Sequence, residues 1–186
     1  MTEREIKLRF ESAEVARSAI TACGATPLLG RRLQEDALLD SDDEALRRRR
    51  CVLRVRIENG KSRLTFKGPV QPGIMKIREE LETLVGDGEV LLNVLKELGL
   101  HVWFRYEKYR EEFAHADVIV AIDETPVGTF VEIEGSESGI DAMAGALGRS
   151  QSDYILDSYR GVFLKHRDAF GLTGQHMLFD ASDAGS

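Results

Sequence analysis

The chain has 186 residues, of which 42% are hydrophobic and 31% charged, and its formal net charge is −7. This length and composition predict one globular domain with its own core and exclude a globally disordered chain. No apolar run approaches the roughly 18 residues of a membrane span, and the acidic first residues are unlike a signal peptide, so we expect a cytoplasmic protein.

Alternation of apolar and polar residues predicts β-strands through most of the chain. The first strand places Ile6, Leu8 and Phe10 on one face. Asn59-Gly60 predicts a tight hairpin between the third and fourth strands. The short turns favour a largely antiparallel sheet of eight strands. These strands are expected over residues 3–10, 32–40, 53–58, 63–67, 75–82, 102–113, 118–123 and 130–134.

Helical patterns separate some of the strands, and the end of the chain is polar. Apolar residues at helical spacing predict three helices, which end at Gly24, Gly99 and Gly148. A fourth helix is expected from Tyr159 to about Arg167. Residues 1–170 are expected to form a single domain, and residues 171–186, rich in Gly, Ser and Asp, a flexible tail. The two cysteines lack metal-binding spacing and are expected to be free thiols.

The second face of nearly every strand carries Arg, Lys, Glu or Asp, which is unusual for an antiparallel sheet with one solvated face. If the charged faces turn inward, eight strands would close a small barrel around a charged lumen. That lumen would hold water and ions, because an unpaired charge in a dry core costs several kcal/mol. A flat sheet with a solvated charged face explains the alternation equally well, so the pattern alone leaves both open.

Positive charge is concentrated in one part of this acidic chain. From Arg47 to Arg78 there are eleven Lys or Arg residues, and the only acid is Glu58. This asymmetry implies an anionic partner, such as nucleic acid, phosphate or an acidic patch of the same fold. The run from Arg47 to Arg50 lacks interleaved aromatic residues, which weighs against nucleic acid and favours a solvated rim. The four aromatic residues Trp103, Phe104, Tyr106 and Tyr109 are interpreted as strand packing rather than a base-stacking platform.

Two carboxylates and an amine share one face of the first strand. Glu3, Glu5 and Lys7 alternate along it, about 6.7 Å between neighbours. Carboxylates this close suit Mg²⁺ or Mn²⁺, which prefer carboxylate and phosphate oxygens. Alone, this triplet is a weak motif that any exposed strand could contain.

An ordered series of short motifs resembles the CYTH superfamily, also called triphosphate tunnel metalloenzymes, which includes class IV adenylyl cyclases and thiamine triphosphatases. It runs from residue 3 to residue 134, and Ser158-Tyr159 also fits. The resemblance implies an α+β fold, with an eight-stranded antiparallel closed β-barrel, or tunnel, that has a charged lumen and short flanking helices. The motifs are Glu3-Arg4-Glu5-Ile6-Lys7, Gln34-Glu35-Asp36-Ala37-Leu38-Leu39-Asp40, Leu53-Arg54-Val55-Arg56, Leu64-Thr65-Phe66-Lys67-Gly68-Pro69, Arg78-Glu79-Glu80-Leu81-Glu82, Glu107-Lys108-Tyr109-Arg110, Asp123, and Gly128-Thr129-Phe130-Val131-Glu132-Ile133-Glu134.

The resemblance also implies roles for individual residues and a Mg²⁺ or Mn²⁺ cofactor. Lys7 and Glu5 are the candidate catalytic residues, and Arg78 either contacts substrate or pairs with Glu80. The family usually has an aromatic pair, often with tyrosine, where this chain has Leu38-Leu39. The implied metal ligands are Glu3, Glu5, Asp123, Glu132 and Glu134. The implied substrate-binding residues are Lys7, Arg54, Arg56, Lys67, Arg78, Lys108 and Arg110.

Three functions are compatible with these residues. The first is metal-dependent hydrolysis of tripolyphosphate, thiamine triphosphate or a nucleoside triphosphate, and the second is class IV cyclisation of ATP to cyclic AMP and pyrophosphate. The third, a non-catalytic polyphosphate- or nucleotide-binding module, is disfavoured because a pure binder needs only cations. We expect water to be the nucleophile, because the sequence marks no adenine pocket. Hydrolysis requires only the triphosphate-binding residues, a metal and an oriented water. The outward apolar strand faces are compatible with a homodimer.

Overall fold

The computed structural model describes residues 2–180. Within this range the strands are β1 (Thr2–Phe10), β2 (Thr26–Ser41), β3 (Val52–Glu58), β4 (Lys61–Lys67), β5 (Lys76–Val85), β6 (Leu100–His115), β7 (Val118–Thr125) and β8 (Gly128–Gly135). The helices are α1 (Ala13–Ala22), α2 (Ala45–Arg48), α3 (Gly88–Glu97), α4 (Glu137–Ala146) and α5 (Tyr159–His166), with 3-10 turns at Gln151–Asp153 and Arg167–Phe170. No helix in this range has the length and apolar character that a membrane crossing requires.

The eight strands form a closed barrel in the order β1-β5-β4-β3-β2-β6-β7-β8. Each neighbouring pair is antiparallel, and β8 pairs with β1 to close the ring. The prediction of an eight-stranded antiparallel barrel with short flanking helices is therefore confirmed, and a flat sheet is wrong. The hairpin is also confirmed, since Asn59 and Gly60 join β3 to β4 with φ of 49° and 71°, as a tight hairpin turn requires.

Two of the three apolar clusters lie outside the barrel wall, beneath helices. Ile6 and Leu8 of β1 are fully buried in a cluster that includes Ile20 of α1 and Met143 of α4, and another cluster lies under α3. The remaining cluster lies between β6 and α5 and includes Leu38, which faces the lumen. Because burying one large aliphatic side chain contributes about 1.5–3 kcal/mol, these outer layers supply the core that the charged lumen cannot.

Serine and aspartate caps start the four longer helices. Ser12 Oγ accepts the Val15 N–H of α1 at 3.3 Å. Asp87, Ser136 and Ser158 make the equivalent bond at α3, α4 and α5. Such caps satisfy backbone donors that have no partner within the helix. The one-turn helix α2 was not predicted from the sequence.

The last described residues pack against the barrel. Met177 is fully buried beside Phe104 and Phe163. Its N–H donates to Arg105 O at 3.0 Å, and Met177 O accepts the Glu107 N–H at 2.9 Å. Residues 181–186 lie outside the described range, so the flexible tail over residues 171–186 stays a prediction. Residues 177–179, however, are docked on β6.

Met177→Ala is expected to destabilise the protein by about 2–5 kcal/mol, because it leaves a cavity in the cluster between β6 and α5. Equilibrium urea unfolding measures this change. Leu178→Ala is the matched control, since Leu178 is 37% exposed and should lose much less. Equal unfolding midpoints for Met177→Ala and wild type would show that docking of this segment contributes nothing to stability.

Candidate active site

The barrel encloses a cavity of about 910 Å³. Among the side chains that line it, twelve are Lys or Arg and seven are Glu, a net charge of +5 in a protein whose total charge is −7. The inward charged faces of the strands supply most of this lining. The positive cavity attracts small polyanions, whereas the acidic remainder of the protein repels them.

Four glutamates gather where the barrel closes. Glu3 and Glu5 point inward from β1, and Glu132 and Glu134 point inward from β8. In the β1–β8 pairing Glu5 lies directly opposite Glu134, and Lys7 opposite Glu132. The pairing of the first and last strands therefore builds an acidic wall from two distant parts of the sequence.

Lysine and arginine side chains contact this acidic wall. Glu3 pairs with Lys67 at 2.6 Å and with Arg78 at 3.1 Å, and Glu5 pairs with Lys76. Arg78 thus reaches a carboxylate of the predicted metal set. Within residues 2–180, no group of three or more acidic, His or Cys side chains is gathered as a formed metal site. The carboxylates have the donor chemistry for a hard cation, but here their oxygens face ammonium and guanidinium groups.

Glu134 differs from the other three glutamates in its protonation. Its side chain is in contact with solvent. Partial burial of its carboxyl and the negative charges of Glu3, Glu5 and Glu132 nevertheless raise its pKa to about 7. Burial also acts against ionisation of Glu5, yet Lys7 and Lys76 outweigh it and lower the Glu5 pKa. A carboxyl whose pKa is raised by neighbouring carboxylates is a place where a divalent cation would relieve repulsion. The donor set therefore fits Mg²⁺ or Mn²⁺.

Lys7 lies between two carboxylates and stays charged. Its Nζ is 3.3 Å from Glu5 Oε1 and 3.1 Å from Glu132 Oε1. Burial opposes the ammonium form, but these two carboxylates outweigh it and raise the pKa of Lys7 above its ordinary value. At neutral pH Lys7 is consequently a fixed cation, suited to stabilising phosphate charge and unsuited to accepting a proton.

Arginines of β3 form part of the opposite wall. Arg56 donates to both oxygens of Asp36 at 2.9 and 3.1 Å, and Arg54 Nε lies 3.4 Å from Asp36. Burial would raise the pKa of Asp36, but Arg56 and Arg54 outweigh it and lower that pKa. Thr65 Oγ1 accepts a hydrogen bond from Arg54 Nη2 at 3.2 Å. These contacts hold both guanidinium groups in place at the lumen.

A fully buried aspartate fixes two more cations. Asp123 accepts from Lys108 Nζ at 2.7 Å and from Arg110 Nε at 2.6 Å. The hydroxyl of Tyr159, on α5, donates to the same carboxylate. The Tyr159 ring centroid lies 4.6 Å from Lys108 Nζ and 5.2 Å from Lys7 Nζ. Asp123 does not line the cavity, so this carboxylate is placed to orient cations.

Three residues in or behind the lumen were not assigned roles from the sequence. Lys76 lies two residues before Arg78 on the same strand face, so alternation could have identified it. Asp36 could have been found in the same way, two residues before Leu38. Tyr159 had no signal from alternation, because it reaches the cavity from a helix, although Ser158-Tyr159 fits the family motifs. Leu38 does line the cavity at the position where the family usually has an aromatic residue.

Comparisons with known proteins agree with this architecture. A solved structure from Vibrio parahaemolyticus, described as a "putative adenylate cyclase", has a TM-score of 0.77 at 18% identity and covers 88% of this chain and 98% of its own. A solved structure from Hippeastrum has a TM-score of 0.68 at 19% identity and covers 88% of this chain and 95% of its own. That protein is described as a putative adenylyl cyclase with a dominant triphosphatase activity.

Sequence comparison identifies the family. A "Putative adenylate cyclase" of Methanocaldococcus jannaschii is 31% identical over 142 residues, which cover 76% of this chain and 81% of that protein. The model of the CYTH domain matches residues 1–156, a range that contains the whole barrel. The chain therefore belongs to the CYTH domain family.

Proposed function

We propose that this protein hydrolyses triphosphates in a metal-dependent reaction and releases orthophosphate. The observation that carries the proposal is the net charge of +5 around a cavity with an acidic wall on one side. The Hippeastrum protein described by its triphosphatase activity has the same fold, which agrees with this choice.

The number of cations matches the charge of the substrate. A triphosphate carries about four negative charges near neutral pH, so it requires several fixed cations to replace its hydration. Arginine binds phosphate with two parallel hydrogen bonds, and lysine binds it as a point charge. The proposed phosphate-binding residues are Lys7, Arg54, Arg56, Lys67, Lys76, Arg78, Lys108 and Arg110.

The acidic wall is the proposed metal site. Glu3, Glu5, Glu132 and Glu134 would hold Mg²⁺ or Mn²⁺, and the raised pKa of Glu134 supports this assignment. When bound, such a cation would neutralise charge on phosphate oxygens and would lower the pKa of a water molecule. Asp123 was a predicted ligand, but we propose that it holds Lys108 and Arg110 instead.

The chain's own side chains position the substrate and stabilise developing charge. Arg54 and Arg56 are already oriented by Asp36, so little rearrangement is needed when phosphate binds. Lys7 stands beside Glu5 and Glu132, where it can contact a phosphate oxygen close to the proposed metal. Phosphoryl transfer depends mainly on such positioning and electrostatics.

Cyclisation of ATP is the second candidate, because the Methanocaldococcus relative is named as an adenylate cyclase. Both reactions would use the proposed phosphate-binding residues, which we call the clamp, but they differ in the attacking oxygen. Cyclisation requires the ribose 3′-hydroxyl to be held in line with the α-phosphate, whereas hydrolysis requires only a positioned water. Hydrolysis therefore requires fewer positioning contacts from the lumen residues.

Product identification tests this choice. The protein is incubated with tripolyphosphate, thiamine triphosphate or ATP, with Mg²⁺ or Mn²⁺, and the products are separated by anion-exchange chromatography. We expect orthophosphate from at least one substrate and none after chelation of the metal. Cyclic AMP and pyrophosphate in equal amounts from ATP, without orthophosphate, would instead establish the cyclase.

Glu5→Gln should lower turnover at least about a hundredfold while circular dichroism shows the fold to be retained, although the melting temperature should fall because Lys7 and Lys76 lose a carboxylate partner. The substitution keeps the size of the side chain but removes a proposed metal-binding charge, and loss of electrostatic stabilisation has effects of this size. Glu35→Gln is the control, since Glu35 is an exposed residue of β2 outside the cavity lining. Wild-type turnover of Glu5→Gln at saturating Mg²⁺ would refute the assignment.

Metal affinity should fall as the pH decreases below 7. Because the pKa of Glu134 is raised to about 7, its carboxyl is protonated below that pH, and a bound metal must displace the proton. Calorimetric Mn²⁺ titrations from pH 6 to pH 8 should show affinity that weakens by up to tenfold per pH unit below 7. Glu134→Gln should bind Mn²⁺ more weakly and with much less pH dependence, whereas a profile like that of wild type would exclude Glu134 as the titrating ligand.

A further inference from the structure

Apolar residues line the cavity at one end of the barrel, where β2 ends and β3 and β6 begin, and we call this end the mouth. Leu38, Cys51, Val52 and Trp103 contribute apolar surface there. The interior clamp, by contrast, is built from charged strand residues. An inorganic polyphosphate gains nothing from apolar walls, so the mouth is suited to another kind of chemical group.

A β-bulge directs Trp103 towards this mouth. In the pairing of β2 with β6, Leu38 lies opposite Phe104 and Leu39 opposite Val102, so Trp103 is the extra residue on β6. Bulges change the direction in which a side chain points. Trp103 lines the cavity although simple alternation with inward-facing Phe104 would place it on the outer face. Trp103 packs against the cluster under α5, as the sequence indicated, and in addition presents its ring to the cavity.

Two guanidinium groups lie against Trp103. Arg47 Cζ is 4.5 Å from the ring centroid and Arg160 Cζ is 4.9 Å from it. Arg47 comes from α2 and Arg160 from α5, so three separate elements meet at one indole. Both arginines also line the cavity. Guanidinium planes stack on flat aromatic groups, including nucleobases.

A buried carboxylate holds Arg47 in this position. Asp40 is fully buried and accepts the N–H groups of Leu46 and Arg47 at 2.9 and 3.0 Å. Asp40 Oδ2 also accepts from Arg47 Nε at 3.2 Å. The run of arginines beginning at Arg47 thus starts with a side chain that is fixed over the indole, rather than with a freely solvated charge.

Arg160 has a different environment. Within the described part of the chain, no carboxylate lies within ion-pair distance of Arg160, and its guanidinium group lies against the Trp103 ring. Its neighbour Tyr159 donates a hydrogen bond to Asp123, the carboxylate that holds Lys108 and Arg110. Arg160 is therefore a cation next to the proposed substrate site, and its N–H groups are not paired with a carboxylate.

We propose that Arg47, Trp103 and Arg160 form a mouth subsite for the neutral heteroaromatic base of a nucleoside triphosphate. This inference rests on the proposed triphosphate site and names its substrate class. The base lies against the guanidinium planes and the apolar mouth residues, while the phosphates enter the clamp. The subsite disfavours thiamine triphosphate, because the thiazolium ring carries a positive charge that the arginines repel.

Binding measurements with wild-type protein provide the first test. The ligands are analogues of ATP, tripolyphosphate and thiamine triphosphate in which methylene groups replace both bridging oxygens, with Mg²⁺ present. Trp103 is the single tryptophan of the chain, so its fluorescence reports directly on the mouth. We expect the ATP analogue to change the emission strongly and to bind at least about fivefold more tightly than either of the others in calorimetry.

Arg160→Lys separates stacking from charge, because lysine keeps the positive charge but has no guanidinium plane. The variant should bind the ATP analogue about fivefold more weakly and the tripolyphosphate analogue with unchanged affinity. Arg17→Lys is the matched control, since Arg17 pairs with Glu111 outside the cavity lining and should leave both affinities unchanged.

The outcomes distinguish failure of the subsite from failure of the proposed function. If the tripolyphosphate analogue binds as tightly as the ATP analogue, or if Arg160→Lys weakens both equally, the base subsite is overturned and the triphosphate clamp stands. The same applies if the thiamine analogue binds as tightly as the ATP analogue. If no analogue binds to the wild-type protein, both proposals are overturned.

Discussion

The pairing of opposite charges across a hydrated lumen is the interaction on which the rest of the structure depends. Lys7 between Glu5 and Glu132, and Asp36 between Arg54 and Arg56, would each be costly as unpaired groups in a dry interior. Because these charges occupy the inside of the barrel, the apolar faces of the strands must point outward. The helices then have to cover the barrel, which explains why two of the apolar clusters lie between the outer wall and α1, α3 and α4. The remaining cluster lies under α5 and includes lumen-facing Leu38.

Closure of the barrel and formation of the site are the same event. Glu5 meets Glu134 only through the pairing of β1 with β8, which are separated by most of the sequence. A one-residue slip in that pairing would turn the charged side chains of β1 outward and bring Ile6 and Leu8 into the lumen. Burial of Ile6 and Leu8 beneath α1 and α4 therefore fixes the register that gathers the carboxylates.

Local pattern was enough to predict the elements, but not every role. Alternation along β1 predicted both its buried face and its charged face, because each depends only on neighbouring residues. Closure could not be decided from alternation, since a flat sheet has the same pattern, and the family motifs supplied the answer. Alternation marks Asp36 and Lys76 as inward-facing, but their roles depend on pairing with Arg56 and Glu5, which lie on other strands. Trp103 packs against the cluster under α5, as the sequence indicated, but it also lines the cavity because a bulge changes its direction, and no sequence pattern marked that bulge.

The clamp and the mouth are built by different kinds of structure, and this difference affects how specificity can vary. Clamp residues lie on strands whose register is fixed by closure, so moving one of them disturbs its neighbours. The mouth is formed by a bulge, the one-turn helix α2 and the first turn of α5. These elements can change locally while the barrel keeps its register. Two adjacent residues of α5 connect these regions. Tyr159 donates to Asp123 behind the clamp, and Arg160 lies against Trp103 at the mouth. Substitutions in the mouth can therefore change which organic group fits beside the proposed triphosphate site while the strand residues of that site keep their positions.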